Sequence, residues 1–318
     1  MSNLNKIRGN YLKSVSTDTD VTDLNNSEVI YNTTTCNLKS IFLQAGAWTA
    51  GGALGTARRY LAGAGTNTAA LGFSGYASAS TTCTESYNGS AWTAGGIMAT
   101  AKRSSAGAGT NTAALAFGGS TTVAVACTES YNGTSWTAGG AMATARQLLA
   151  GAGASNTAAL AFGGFTTAVV ACTESYNGST WTAGGAMATA RCALAGAGTN
   201  TAALAFGGRT TINVACTESY NGTSWTTGGA MATARSYLAG AGTNTAALAF
   251  GGNVSTHVAC TESYNGSTWS AGGALSTARR YLAGAGASNT AALAFGGYNN
   301  NNLTCTESYN FGKVCKNF

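Results

Sequence analysis

Residues 172–181 read CTESYNGSTW, and near-copies of this stretch return along the whole chain. Its tyrosine falls at Tyr87, Tyr131, Tyr176, Tyr220, Tyr264 and Tyr309, at intervals of 44, 45, 44, 44 and 45. All six tryptophans keep the same interval: Trp48, Trp92, Trp136, Trp181, Trp225 and Trp269. A period near 44 belongs to propellers or helical solenoids, where each unit buries its surface only against its neighbours. The 318 residues therefore read as one closed array.

Inside the repeat the hydrophobic period is two, which indicates strands. In VACTESYN, Cys127, Glu129 and Tyr131 share one face, and Thr128 and Ser130 the other. In TAALAFGG, Leu160 and Phe162 alternate with Ala159 and Ala161. The Asn-Gly of YNGS and YNGT predicts a two-residue type I′ hairpin, because both central residues of that turn need positive φ. This register sets Glu129 opposite Trp136, with the carboxylate's stem on the indole. Each unit then supplies four strands, near 148–154, 158–164, 168–177 and 180–186 in the third unit. Every sheet is expected to carry one bulky face (Leu, Phe, Glu, Tyr, Trp) and one small face (Ala, Thr, Ser), stacked large on small. The glycines and alanines of LAGAGT suit an innermost strand at a crowded axis.

The ends of the repeat region complete each other. FLQAGAWTAGGAL (42–54) has no Tyr strand before it, and LTCTESYN (303–310) has no Trp strand after it. Pairing the two makes a sixth blade and removes an exposed sheet edge. The expected fold is all-β: a six-bladed propeller of four-stranded antiparallel blades over 41–311. An N-terminal arm (1–40), anchoring or disordered, and a C-terminal tail (312–318) flank it.

A Gly-Gly doublet, then TESYN, then Trp, then MATAR, as in GGFTTAVVACTESYNGSTWTAGGAMATAR (163–191), resembles the kelch repeat. The resemblance covers about 42–310. The copies are unusually alike and free of proline, which is similar to the kelch-type proteins of tailed phages, particularly marine ones. That resemblance implies a virion part, tail- or fibre-associated, made in a host cytoplasm. Kelch propellers also serve as cellular adaptors for a protein or peptide, and some are oxidases with histidine and tyrosine copper ligands. Fold alone does not choose among these.

The residue inventory narrows the choice. Only 8% of the chain is charged, too little for a solvated disordered chain, and the apolar runs are too short and broken for a membrane helix. The first twenty residues lack the apolar core of a signal peptide. After Asp23 no aspartate occurs, and beyond Glu28 the acids are Glu85, Glu129, Glu174, Glu218, Glu262 and Glu307, one per repeat. The matching basic positions are Arg58, Lys102, Arg146, Arg191, Arg235 and Arg279. A repeated carboxylate with a repeated guanidinium reads as a ring of buried structural ion pairs, since the planar fork of Arg meets a carboxylate in two bonds.

Catalysis lacks its parts. The sole histidine, His257, cannot build a His-rich copper or zinc site, so the oxidase branch does not carry over. NGSTW is similar to the Asp-box of sialidases without its aspartate, and a glycosidase's paired carboxylates are missing outside the ring. A Cys-His nucleophile using His257 stays open. The expectation is a non-enzymatic protein without cofactor or metal.

Six cysteines recur at one blade position (Cys83, Cys127, Cys172, Cys216, Cys260, Cys305), too far apart between blades for disulfides, and read as buried small hydrophobes. Cys192 is irregular and expected near the surface. Cys36 and Cys315 flank the closing blade and are the candidate pair for a bridge.

Comparing the repeats locates the part that differs. After the doublet come YASAS, STTVA, FTTAV, RTTIN, NVSTH and YNNNN. After the repeated Arg or Lys come Arg59-Tyr60, Arg103-Ser104, Gln147-Leu148, Cys192-Ala193, Ser236-Tyr237 and Arg280-Tyr281. Both places lie at one end of a four-stranded blade, while the TNT and NGS turns of the other end hardly change. Variation at one end suggests a binding surface on a fixed scaffold. Blades five, six, one and two bring Tyr237, Arg280, Tyr281, Tyr298, Arg59, Tyr60, Tyr76 and Arg103 into one sector, the candidate binding site. Arg with aromatics suits a host-surface glycan or a protein. Nucleic acid does not fit, as the net charge of +6 is spread thinly and no nucleic-acid motif occurs. Residues 1–40 are the candidate contact to other virion proteins.

Overall fold

A computed structural model describes residues 46–311 with their side chains, and four further strands as backbone: Lys13–Val15, Val29–Asn32, Asn37–Leu43 and Lys313–Asn317. The chain divides into two compact units, residues 47–310 and the segments on either side of them.

Residues 47–310 form a six-bladed β-propeller of four-stranded antiparallel blades. In blade three the strands run Ala150–Ser155 (inner), Ala158–Phe162 (second), Thr173–Tyr176 (third) and Trp181–Gly184 (outer). Blade six is assembled from both ends of the repeat region. Its first three strands are Ala283–Ser288, Ala291–Phe295 and Thr306–Asn310, and its outer strand is Ala47–Ala50, with Tyr309 opposite Trp48. The closing strand is shorter than the expected 42–54. Phe42 and Leu43 pair instead with Val314 and Lys313, and the glycines at 51 and 52 end the strand on its other side.

The flanking unit is a sheet of its own. Lys13–Val15 runs parallel to Val29–Asn32, which pairs antiparallel with Asn37–Leu43, itself antiparallel to Lys313–Asn317. The N- and C-terminal segments thus meet in one sheet. Cys36 lies outside the described residues, so the candidate Cys36–Cys315 bridge does too.

Two details of the blade differ from the expectation, one set by the turn after Tyr131 and the other by the pairing of the second strand with the third. Tyr131 pairs with Trp136 and Glu129 with Ala138, so Glu129 does not face the indole. The connection is a four-residue loop, Asn132 to Ser135, in which only Gly133 takes positive φ (95°). Asn132 acts through its side chain instead: its Oδ1 accepts the N–H of Thr134 and of Ser135, both at 2.9 Å. This Asx geometry competes with the I′ turn for the same dipeptide, and here it prevails.

The second correction concerns the faces. Leu115 is opposite Ser130 and Ala116 opposite Glu129, so Leu and Phe lie with Thr and Ser, while Glu, Tyr and Trp lie with Ala. Each face is a mosaic of large and small, and neighbouring faces interlock. Leu115 and Phe117 of blade two pack on Ala159, Ala161, Tyr176 and Trp181 of blade three. Burying one such Phe is worth roughly 1.5–3 kcal/mol. Each tryptophan also reaches across: Trp181 Nε1 donates to Thr128 Oγ1 of the preceding blade at 2.9 Å, and the other five repeat the bond. Because Trp92 reaches Thr306 in the same way, the interface between blades six and one matches the rest.

At the axis the inner strands approach so closely that a side chain has no room. A Cβ on Gly107 would lie 2.6 Å from the carbonyl oxygen of Gly63, and Gly151, Gly196, Gly240, Gly284 and Gly63 stand in the same relation to the preceding blade. Only glycine allows that approach.

Candidate functional site

The six repeated acid–base pairs lie between blades. Arg146 lies in the crossing from blade two to blade three and meets Glu174 of blade three, Nη1 to Oε1 at 3.0 Å, with the guanidinium fully buried. The others are Arg58–Glu85 (3.1 Å), Lys102–Glu129 (3.4 Å), Arg191–Glu218 (2.6 Å), Arg235–Glu262 (2.7 Å) and Arg279–Glu307 (2.8 Å). Arg146 Nη2 also donates to the Ala161 carbonyl at 3.3 Å. Glu174 accepts the backbone N–H of Ala143 at 2.6 Å. One carboxylate therefore pins the crossing segment, and one guanidinium pins the second strand of the next blade. Burial pulls the Arg58 and Arg191 guanidinium pKa values down, opposed by Glu85 and Glu218 respectively.

The recurring cysteines attach to the same ring. Cys172 Sγ lies 2.6 Å from Arg146 Nη1, and the six are half-buried free thiols rather than fully buried hydrophobes. Their strand turns toward the guanidinium, which takes the sulfur as a weak acceptor. Cys192 is buried, not surface-exposed, and burial pushes its thiol pKa up. It lies within the crossing between blades three and four, where its backbone pairs with that of Arg209.

The variable stretches converge at one end. In every blade the residue after the repeated Arg or Lys bridges the first residue after the doublet, which bridges a third residue four positions on. Blade one sets Arg59, Tyr76 and Ser80 side by side, and blade six Arg280, Tyr298 and Asn302. The next residue in each crossing then turns in to the axis. Tyr60, Ser104, Leu148, Ala193, Tyr237 and Tyr281 all adopt left-handed backbone, φ 52–58°. They are linked into a closed circle: Ser104 N–H donates to Tyr60 O (2.9 Å), Leu148 to Ser104 (3.0 Å), Ala193 to Leu148 (2.8 Å), Tyr237 to Ala193 (2.8 Å), Tyr281 to Tyr237 (3.0 Å) and Tyr60 to Tyr281 (2.9 Å). A non-glycine residue in this region costs about 1–2 kcal/mol, and the circle of bonds holds it there.

All eight residues of the candidate sector lie in one patch. Tyr60 stacks on Tyr281 with centroids 4.0 Å apart, and Tyr237 meets Tyr281 edge-on at 4.6 Å. The Arg59 guanidinium lies 5.0 Å from the Tyr76 ring and 4.6 Å from Tyr298. Arg103 lies 5.2 Å from Tyr76, and Arg280 4.7 Å from Tyr281. Such cation–π contacts hold the guanidiniums in place without neutralising them. Burial, with Tyr281 alongside, pushes the Tyr60 phenol far above its ordinary range, and burial raises Tyr237 as well. Both are neutral hydroxyls at any physiological pH.

Two openings mark this end. One of about 340 Å³ lies between blades one and two, lined by Arg59, Tyr60, Tyr76, Arg103, Ser104, Gln147 and Leu148. The other, about 130 Å³, is the axial mouth inside the circle of left-handed residues. A larger cavity of about 480 Å³ opens at the opposite end among Thr, Ser, Asn, Gly and Tyr87, with no charged group in its lining. Volume favours that cavity; charge and aromatic content favour the variable end, and those are what bind tightly. The contributions of Ser104, Gln147 and Asn302 were not singled out from sequence. Asn302 Oδ1 accepts from Arg59 Nη1 at 3.3 Å. The signal was present for Ser104 and Gln147, which occupy the register positions of Tyr60 and Arg59, whereas Asn302 stands where the other copies carry Ser80, Ala124, Val169, Asn213 and His257. His257 borders the patch, edge-on to Tyr298 at 5.9 Å. Among the described residues no three His, Cys, Asp or Glu side chains come together as a metal site requires.

Fold and site together define a six-bladed β-propeller with a constant body and one variable, arginine- and tyrosine-rich end. The chain matches no family model and no curated protein.

Proposed function

We propose that the protein is a non-enzymatic binding component of a larger assembly. In this reading it is a kelch-like propeller of the kind carried by tailed phages, tail- or fibre-associated and made in the host cytoplasm. The segment 1–40 attaches it to other virion proteins, and the variable end engages a host glycan or a neighbouring subunit.

The observation that carries the reading is polarity. The propeller's first strand begins at Ala47 and its last ends at Asn310, directly paired, at the end of the blade where the Asn-Gly turns lie. The chain therefore enters and leaves the propeller at the constant end, and the Arg/Tyr patch occupies the other. A propeller whose chain ends leave at one pole and whose differing residues gather at the other is suited to present a surface.

The test is the fourfold variant Arg59→Ala, Tyr60→Ala, Arg280→Ala, Tyr281→Ala. Its circular dichroism spectrum should match that of a propeller, while attachment to the host surface or incorporation into particles is lost. A folded variant that attaches and assembles normally overturns the reading.

A further inference from the structure

Every carboxylate of the propeller is committed. Glu85, Glu129, Glu174, Glu218, Glu262 and Glu307 are buried against the repeated basic residues, and none remains for another cation. Arg59 and Arg103 nevertheless converge on one ring, 5.0 and 5.2 Å from the Tyr76 centroid, and line one cavity of about 340 Å³. Among the described residues their hydrogen bonds are few and long: Arg59 Nη1 to Asn302 Oδ1 at 3.3 Å, and Arg103 Nη1 to Ser80 Oγ at 3.5 Å. A guanidinium carries five donors, so most of the bonding capacity of both is unspent. Among the described residues no counter-charge faces either guanidinium, and an anion in the cavity they share relieves the repulsion between them.

We propose that this cavity binds the carboxylate of an acidic sugar, a uronate or sialate residue. The inference deepens the reading of the variable end as a binding surface and rests on it. The anion comes from the pair of guanidiniums, which match a carboxylate in bidentate geometry. The sugar comes from the rest of the lining: Ser104, Gln147 and the phenols of Tyr60 and Tyr76 offer neutral donors and acceptors suited to ring hydroxyls, with Leu148 as the one aliphatic wall. The volume is at the lower end of the range for small-ligand sites, roughly 300–1,000 Å³, which suits one or two sugar rings. An extended acidic peptide requires a groove or a free strand edge. Here the variable stretches already bridge one another, so no such edge is presented at the cavity.

The experiment is calorimetry on the full chain with three matched pairs: sialyllactose and lactose, cellobiuronate and cellobiose, digalacturonate and digalactose, with hexaglutamate as the peptide probe. At least one acidic sugar should bind about tenfold tighter than its neutral counterpart, the equivalent of ~1.4 kcal/mol, and weaken as salt is raised. Arg59→Gln and Arg103→Gln should each remove that preference, Arg103→Lys should weaken it severalfold, and Arg209→Gln should leave it unchanged. Thermal melting of each variant separates lost binding from lost folding, and Arg103→Lys retains the charge should Arg103→Gln not fold. Equal binding within all three pairs, a preference that survives in Arg59→Gln and Arg103→Gln, or tighter binding of hexaglutamate overturns the proposal. If the acidic sugars fail while the fourfold variant still abolishes attachment, only this inference falls. If the fourfold variant attaches normally, the reading beneath it falls as well.

Discussion

Replacing Glu174 with Ala tests how much of the fold rests on the ring of ion pairs. The carboxylate holds Arg146 at 3.0 Å, and the Arg146 side chain is 0% exposed. After the change the guanidinium keeps a carbonyl (Ala161) and a thiol (Cys172), neither of which carries negative charge. An unpaired buried charge of this kind costs roughly 3–5 kcal/mol. The backbone N–H of Ala143, bonded to Glu174 at 2.6 Å, also loses its partner, and a stranded donor costs about 1–3 kcal/mol. The two losses share one relaxation and do not add in full, so the expected destabilisation stays near 3–5 kcal/mol. Glu174→Gln, which keeps an acceptor oxygen, should cost less than Glu174→Ala. The double change Glu174→Met with Arg146→Met removes both charges and should recover most of the loss. Equilibrium urea unfolding reads all three, as a lower midpoint at unchanged slope. A loss below about 1 kcal/mol for Glu174→Ala would refute the reasoning, because it would mean that water reaches the pair.

Lys102 is the one departure from arginine in the ring, and it meets Glu129 at 3.4 Å, the longest of the six pairs. Lys102→Arg should raise the urea midpoint by the equivalent of about 0.5–2 kcal/mol, since five equivalent sites accommodate the larger group; a lower midpoint would count against equivalence of the sites. Ala193 takes φ 52° in the axial circle, so Ala193→Gly should leave stability unchanged or raised by up to about 1 kcal/mol, while Ala193→Val should lose about 1–3 kcal/mol. The same urea assay checks both, and equal effects would show that φ is not the governing factor. Burial raises the pKa of Tyr60 and Tyr237 from 10.0 and of Cys192 from 9.0. The folded chain therefore holds these protons longer than the unfolded chain does. Their contribution is complete below about pH 9 and is lost as pH rises from there toward the folded values, at up to ~1.4 kcal/mol per unit per group. Thermal melting between pH 8 and 11 should show that decline, and a flat profile would contradict it.

The architecture was legible because the repeat states it six times. A Trp strand without a Tyr strand at one end, and the reverse at the other, leave one way to complete the count. The clustering of the eight candidate residues was legible because the positions of Arg59 and Tyr60 change from copy to copy at one end of the blade. What escaped the sequence was local. Asn132-Gly133 satisfies two turn types, and the choice depends on whether the asparagine side chain or its backbone supplies the bend. The four-residue loop sets Trp136 opposite Tyr131 rather than Glu129 but keeps all three on one face, so the misread faces come from the pairing of the second strand with the third. Period-two patterning says which residues of one strand share a face, and it is silent on which face of the next strand they join. The circle through Tyr60, Ser104, Leu148, Ala193, Tyr237 and Tyr281 was hidden because four residue types share one backbone state, which none of them announces.

The glycines of the inner strands bear on how such a protein can change over time. A chain of near-identical 44-residue units invites the loss or duplication of whole units when its coding sequence is copied. A five- or seven-unit product would contain only interfaces that already exist here. Its inner strands, however, would have to meet at a different radius. At Gly107 the present radius leaves 2.6 Å between a would-be Cβ and the carbonyl of Gly63, a gap suited to glycine alone. Seven units would open that gap and leave the axis underfilled, while five would force backbone against backbone. The residue with no side chain thus acts as the counter of the array, holding the copy number at six while the loops at the far ends of the strands remain free to diverge.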